Sequence, residues 1–233
     1  MSISLDDRLR TFPVPPKTYV IGAGGLIGRH LIAAYRQYYP DIEGSARTGG
    51  GSSYLQHLDL SDPKIDTIRL KDLGYRQAVI AAGVTRMADC EKDPMGTRRT
   101  NVEGTLSLAR RLSRAGILPV WFSTDYVFDG ISGDYKEDVK PNPLNEYGRQ
   151  KVEVEKELLR ICKRRCLIVR MGKIFTLTED DGTLLNQMVR RLRQGIKIHA
   201  ARDQVFSPTW IGDLIHQLFF LQLHHQTGLF HIS

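Results

Sequence analysis

Residues 19–28 read Tyr-Val-Ile-Gly-Ala-Gly-Gly-Leu-Ile-Gly. An apolar run enters Gly22, and Ile27, Leu31 and Tyr35 then recur every four residues, the spacing of one helix face. The stretch predicts a buried strand, a glycine turn and a helix in direct succession. Gly22 permits the tight turn, Gly25 keeps a Cβ away from an approaching anion, and Gly28 lets the helix lie close to the strand. The first amides of such a helix, with the positive end of its dipole, attract a phosphate. The spacing Gly22-x-x-Gly25-x-x-Gly28, with Gly24 offering a second register, therefore points to a dinucleotide loop that continues into Leu26 and Ile27. A purely structural turn would use the same glycines; the flanking strand and helix favour the nucleotide.

Outward from this loop, short apolar runs alternate with helical patterns, the signature of βαβ units. Strands are expected at 18–21, 42–46, 78–82, 119–123, 166–170 and 229–232. Val102, Leu106, Ala109 and Leu112 mark one helix face, Leu184, Leu185, Met188, Val189 and Leu192 a second, and Ile211, Leu214, Ile215, Leu218 and Phe219 a third; all read as core stripes. The expected fold is a doubly wound parallel α/β sheet of the Rossmann type with a small C-terminal lobe. Residues 1–16, with Pro13, Pro15 and Pro16, read as an N-terminal extension. Residues 17–171 read as the nucleotide-binding domain, and 172–233 as a short substrate lobe with a returning helix and strand. The Gly/Ser-rich stretch 48–53 reads as a surface loop.

The 233 residues carry 33 Lys and Arg against 26 Asp and Glu, a net charge of +7, with 41% hydrophobic and 25% charged residues. That mix argues against disorder and fibrous repeats. The most apolar run, 214–223, is too short for a membrane helix and carries His216. The N-terminus has no apolar signal region, so a membrane or secretory route is not expected. Three cysteines, at 90, 162 and 166, without a CxxC pair, argue against disulfides and zinc and suit a reducing cytoplasm. The seven His show no metal spacing. Basic clusters such as Arg110-Arg111-Arg114 and Arg190-Arg191-Arg193 read as solvated helix faces. Without interleaved aromatics they give no reason to expect nucleic acid.

The tip of the second strand reads the adenosine ribose: an acid suits NAD, an arginine the 2′-phosphate of NADP. A strand ending near Ala46 places Arg47 at the tip and favours NADP(H); an earlier end would bring Glu43 there and allow NAD(H). Asp59-Leu60 resembles the Asp-hydrophobic pair that meets the adenine ring in dinucleotide-binding reductases, and reads equally as the start of a helix cap, since Ser61, Asp62 and Pro63 follow.

Residues 122–130 read FSTDYVFDG and 143–151 read PLNEYGRQK. On a helix Tyr147 and Lys151 share one face. A phenol titrates near ~10, and a neighbouring ammonium favours the phenolate and lowers that value. Tyr147 is then a general acid toward a carbonyl oxygen, Lys151 its partner and a ribose contact, and Thr124 a second hydrogen bond to the substrate oxygen.

These blocks, together with Ala81-Ala82-Gly83, Asn101-Val102-Glu103-Gly104, residues 204–213 and 228–233, resemble the extended short-chain dehydrogenase/reductases. Within that branch they resemble dTDP-4-dehydrorhamnose reductase and its relatives. The resemblance runs from about residue 17 to the last. It implies an oxidoreductase of dTDP-rhamnose biosynthesis acting on a 4-keto-6-deoxy sugar nucleotide, with Ala81, Ala82, Gly83 and Asn101 against the cofactor. Asp125, Tyr126, Arg170 and Lys173 would lie toward the substrate, and a homodimer is among the assemblies it allows. Tyr126 stands where sugar-nucleotide dehydratases carry a Glu. Lys173 stands where the reductases carry a Trp, which implies a different sugar. The branch continues beyond a strand like 228–233, so a trimmed substrate half is expected. Two alternatives share these motifs: a nucleotide-sugar epimerase, and an NADP-binding regulatory subunit like the β subunit of methionine adenosyltransferase.

Overall fold

The computed structural model describes residues 12–48, 53–178, 181–201, 203 and 205–232. The chain runs β1 (Thr18–Ile21), α1 (Leu26–Arg36), β2 (Gly44–Ala46), β3 (Leu55–His57), α2 (Thr67–Asp72), β4 (Gln77–Ile80), α3 (Met87–Lys92) and α4 (Pro94–Arg98). A π-helical turn (Arg99–Gly104) leads into α5 (Thr105–Arg114), followed by β5 (Leu118–Thr124), a 3-10 turn (Asp125–Val127) and α6 (Glu146–Ile161). The last part holds β6 (Leu167–Met171), β7 (Lys173–Phe175), α7 (Leu184–Arg193), β8 (Pro208–Trp210), α8 (Ile211–Leu223) and β9 (Gly228–Ile232). Seven strands form one parallel sheet in the order β3-β2-β1-β4-β5-β6-β9, and β7 and β8 make a separate parallel pair.

Helices cover both faces, which is why β1 and β4 are buried along their whole length rather than alternating. α8 shows the energetics: Ile211, Leu214, Ile215, Leu218 and Phe219 are all within 3% of full burial, and each contributes about 1.5–3 kcal/mol relative to exposure. The helix is pinned by Gln222, whose Oε1 accepts from the Tyr35 hydroxyl at 2.7 Å while its Nε2 donates to Gln77 Oε1 at 2.8 Å. The strand order reverses between β1 and β4, and ligands of open α/β sheets bind in the crevice beyond such a switch point.

Several expectations are corrected. β2 is three residues rather than five, and the strands at 55–57, 173–175 and 208–210 were not anticipated. Each has only three residues, and β3 and β7 are at most half-buried, so none carries an apolar run. Among the described residues packing extends N-terminal of Lys17 as far as Phe12: its ring lies 4.8 Å from that of His216 on α8, and the Tyr39 hydroxyl donates to Pro15 O at 2.8 Å. The stripe on α7 is not core. No residue of α7 is buried, and Val189 and Leu192 are 44% and 62% exposed; apolar spacing marks a face but does not supply a layer to cover it. Residues 1–11, most of the 48–53 loop, Gln204 and Ser233 lie outside the described residues.

Candidate active site

β1 ends in the glycine turn as its pattern requires. Gly22 adopts φ +87°, and a Cβ there would meet Ala82 N at 2.6 Å. The Gly22 and Ala23 amides donate to Ser45 O at 2.8 Å each, and Gly25 N–H donates to Gly22 O at 3.0 Å. Gly28 lies so near the turn that a Cβ would sit 2.1 Å from Gly22 O. Gly25 caps α1 without a side-chain bond, and no acid stands in the first turn containing Leu26 and Ile27. The Gly22, Ala23 and Gly25 amides are spent on the turn itself, so what fits a dinucleotide pyrophosphate is the end of α1, where the dipole is favourable and no acid of the first turn repels the anion.

β2 ends at Ala46, whose Cβ lies 3.3 Å from the Cβ position of Gly24, so the exposed Arg47 follows directly beside the glycine loop. Glu43 precedes the strand, at its other end, where its Oε1 pairs with Arg69 Nη2 at 2.8 Å. The placement favours the arginine over the acid as reader of the ribose. Asp59 Oδ1 accepts from the Ser61 N–H at 2.8 Å and its hydroxyl at 2.7 Å, bonds that hold its carboxyl below the usual range, with Arg47 and His57 adding to this. No helix starts there; α2 begins at Thr67, capped by Asp66. Leu60 is 4% exposed and packs into the core.

Beyond β4, Ala81, Ala82 and Gly83 line the same carboxyl edge of the sheet as Gly22 and Thr124. Asn101 serves this loop from behind. Its Oδ1 accepts from Val84 N–H at 2.8 Å, and its Nδ2 donates to Val84 O at 3.0 Å and Gln150 Oε1 at 2.9 Å. It sits in the π-helical turn, a distortion that often marks functional sites. Its amide is spent on protein, so it shapes the loop rather than touching a cofactor.

Thr124 ends β5. Its hydroxyl donates to Asp125 Oδ1 at 2.9 Å and accepts from the Tyr126 N–H at 3.2 Å. Asn145 caps α6 through Gly148 N–H at 2.7 Å, which places Tyr147 in the first turn, its ring 6.4 Å from that of Tyr126. One turn on, Lys151 Nζ donates to Phe122 O at 2.7 Å and stands 5.4 Å from the Tyr147 ring centre and 4.3 Å from that of Trp121. Lys173 enters from β7. Burial pushes the Asp125 carboxyl up; the Thr124 hydroxyl and then the Asp125 and Tyr126 amides oppose this, with the Lys173 ammonium adding least, and that ammonium lies 5.1 Å from the Phe206 ring.

The electrostatics differ from expectation. The Tyr147 phenol is pushed well up, by burial first, then by Cys90, Asp125 and Tyr126. Lys151 is directed at Phe122 O and does not reverse this; burial pushes its own ammonium down to about 8, while Glu155 opposes the fall. At neutral pH the site therefore holds a protonated phenol beside an ammonium, a proton-donating arrangement.

The model for the RmlD substrate binding domain matches residues 16–233. The chain belongs to that family. It is 29% identical over 214 residues to a dTDP-4-keto-6-deoxy-D-glucose reductase of Streptomyces niveus, covering 91% of this chain and 70% of the relative. It is 28% identical over 201 residues to the methionine adenosyltransferase 2 subunit beta of Xenopus tropicalis, covering 85% and 59%. Its fold superposes with a TM-score of 0.79 on a hypothetical dTDP-4-dehydrorhamnose reductase from Sulfolobus tokodaii, 26% identical, over 93% of this chain and 76% of that one. The chain thus spans 59% to 70% of the length of these two sequence relatives.

Within this RmlD-family site, Arg170 is misplaced by the sequence reading. It is 4% exposed and committed to Glu155, so it does not reach the substrate side. Four contributors were not singled out: Ser123, Gln150, Glu155 and Gly148. The signal for Glu155 was present, an acid four residues beyond Lys151 on the same helix face.

Proposed function

We propose that the protein is a reductase of a 4-keto-6-deoxy sugar nucleotide that uses NADPH in preference to NADH, in the cytoplasm. The observation that carries this reading is the meeting of Thr124, Tyr126, Tyr147 and Lys151 at the carboxyl end of β5, on the sheet edge that also holds the Gly22 loop. The Gly22–Gly25 loop and α1 would hold the pyrophosphate, and Arg47 the 2′-phosphate. When bound, a reduced nicotinamide supplies the two electrons. The chain's residues do the rest. Thr124, turning its hydroxyl from Asp125 Oδ1, and Tyr147 bond the carbonyl oxygen, Tyr147 delivers its phenolic proton as negative charge develops there, and Lys151 offsets the charge left on the phenol. Asp125, Tyr126 and Lys173 line the sugar side. The names of the reductase relatives support the substrate class.

The test is a panel of keto-sugar nucleotides with NADPH, followed by nicotinamide absorbance. Loss of absorbance with a dTDP-4-keto-6-deoxy sugar is expected; tight NADPH binding without decline for any member would refute the reading. The similarity to a methionine adenosyltransferase β subunit favours a second reading, an NADP-binding regulatory subunit. That reading expects cofactor binding, no turnover, and a stable complex with a partner enzyme.

A further inference from the structure

Tyr147, Lys151 and Glu155 follow one another at intervals of four along α6, so their side chains share one face. Two successive turns of that face grip two successive residues of β5. Lys151 Nζ donates to Phe122 O at 2.7 Å, and the Ser123 hydroxyl donates to Glu155 Oε1 at 2.5 Å. The next residue of the strand is Thr124. Glu155 is itself held: Arg170 Nε donates to Oε1 at 2.8 Å and Nη2 to Oε2 at 2.7 Å, with the two side chains only 4% and 5% exposed. The remaining nitrogen, Nη1, lies 3.2 Å from His231 Nε2 on β9 and 3.5 Å from Glu137 O in the segment before α6.

A core seeking stability alone gains little from such a pair, because desolvating two charges offsets most of their attraction. Here the pair ties the helix carrying the acid to three strands. It also places a carboxylate one helical turn from Lys151 and a guanidinium just behind that carboxylate. We infer that Glu155 and Arg170 are positioning residues for Tyr147 and Lys151, setting the seat of α6 on β5 and the charge balance around the lysine. The catalytic consequence rests on the reductase reading; the electrostatic one does not.

The groups facing Lys151 are Tyr147 and Glu155 from its own helix, Trp121 and Phe122 O from β5, and Cys90 from α3. Arg170 stands behind Glu155 rather than against the lysine, so removing the negative charge or the positive one moves the Lys151 titration in opposite directions. The experiment follows carbon-13-labelled lysine by NMR, with Lys151 assigned through Lys151→Arg, alongside the alkaline limb of turnover. Glu155→Gln should lower the Lys151 midpoint by about half a pH unit or more, and Arg170→Gln should raise it by a similar amount. The double variant should return close to the native value. A general loosening of the fold would instead move every variant upward, toward free lysine. Shifts in one direction only, or none, would overturn the inference.

Should the charge variants fail to fold, Ser123→Ala removes one rung without stranding a charge. It should lower kcat about fivefold or more at unchanged KM; native kcat would overturn the positioning role. Opposite lysine shifts with no turnover of any keto-sugar nucleotide would leave this inference standing and remove the reductase reading. Turnover with an unmoved lysine would do the reverse.

Discussion

Gly148 packs against the carbonyl of Tyr126 so closely that a Cβ would sit 2.2 Å from that oxygen. The contact sets the distance between the start of α6 and the turn after Thr124, and so the place of Tyr147. Gly148→Ala must push the helix outward or distort the turn. Overpacking of this kind costs about 1–3 kcal/mol, and a displacement near 1 Å at the reacting groups costs about 100-fold in rate. A lower melting temperature and a fall in kcat larger than the change in NADPH affinity are expected. Native kcat would show that the close seat is dispensable.

Tyr147→Phe removes the proton donor but keeps the ring against Tyr126. Turnover should fall by about 10²–10⁴, with NADPH affinity, measured by fluorescence titration, close to native. An active variant would mean that another group donates the proton.

Lys151 sets the alkaline edge. Its ammonium, pushed down to about 8 by burial, should be lost as pH rises through that value, and kcat should decline with it. Stability should move the other way. Between about 8 and the ordinary 10.5 the unfolded chain binds the proton and the folded chain does not, so this group makes folding more favourable as pH rises through the window. Lys151→Met should flatten that part of the stability–pH curve, measured by urea unfolding; an unchanged slope would contradict the assignment.

Arg47, exposed beside the glycine loop, should discriminate between cofactors. Arg47→Ala should reduce kcat/KM for NADPH about tenfold or more, the loss of a charge-assisted bond to phosphate, and leave NADH nearly unaffected. Equal effects on both would remove Arg47 from the ribose site.

Asn101→Ala strips Val84 N–H, Val84 O and Gln150 Oε1 of the bonds Asn101 makes to them, while Gln150 Nε2 keeps Pro94 O and Thr97. Each buried polar group left alone costs about 1–3 kcal/mol. A clear drop in melting temperature is expected, together with weaker NADPH binding as the 83–84 loop loosens. Unchanged stability would mean that the amide is not the loop's anchor.

The glycine turn, the alternation of strands and helices, and the Tyr147–Lys151 face were legible because each depends on neighbours within a few residues. Where Arg47 and Glu43 lie relative to the glycine loop follows from where β2 stops, and the length of that strand depends on pairing with β1 and β3 rather than on its own residues. Asn101 and Arg170 looked like ligand contacts in one dimension. Both lie on elements flanking the crevice, but their side chains turn inward, Asn101 to Val84 and Arg170 to Glu155.

By itself, then, the sequence of this RmlD-family chain determined the Rossmann layout, the glycine turn and the shared helix face of Tyr147 and Lys151, because short-range periodicity and backbone freedom encode them. Only the tertiary structure decided how these groups are charged and seated. The raised Tyr147, the lowered Lys151 and the Glu155–Arg170 pair behind them arise from burial and from bonds spanning 15 to 32 residues, and desolvation depends on the protein that surrounds a group, not on its neighbours in the chain.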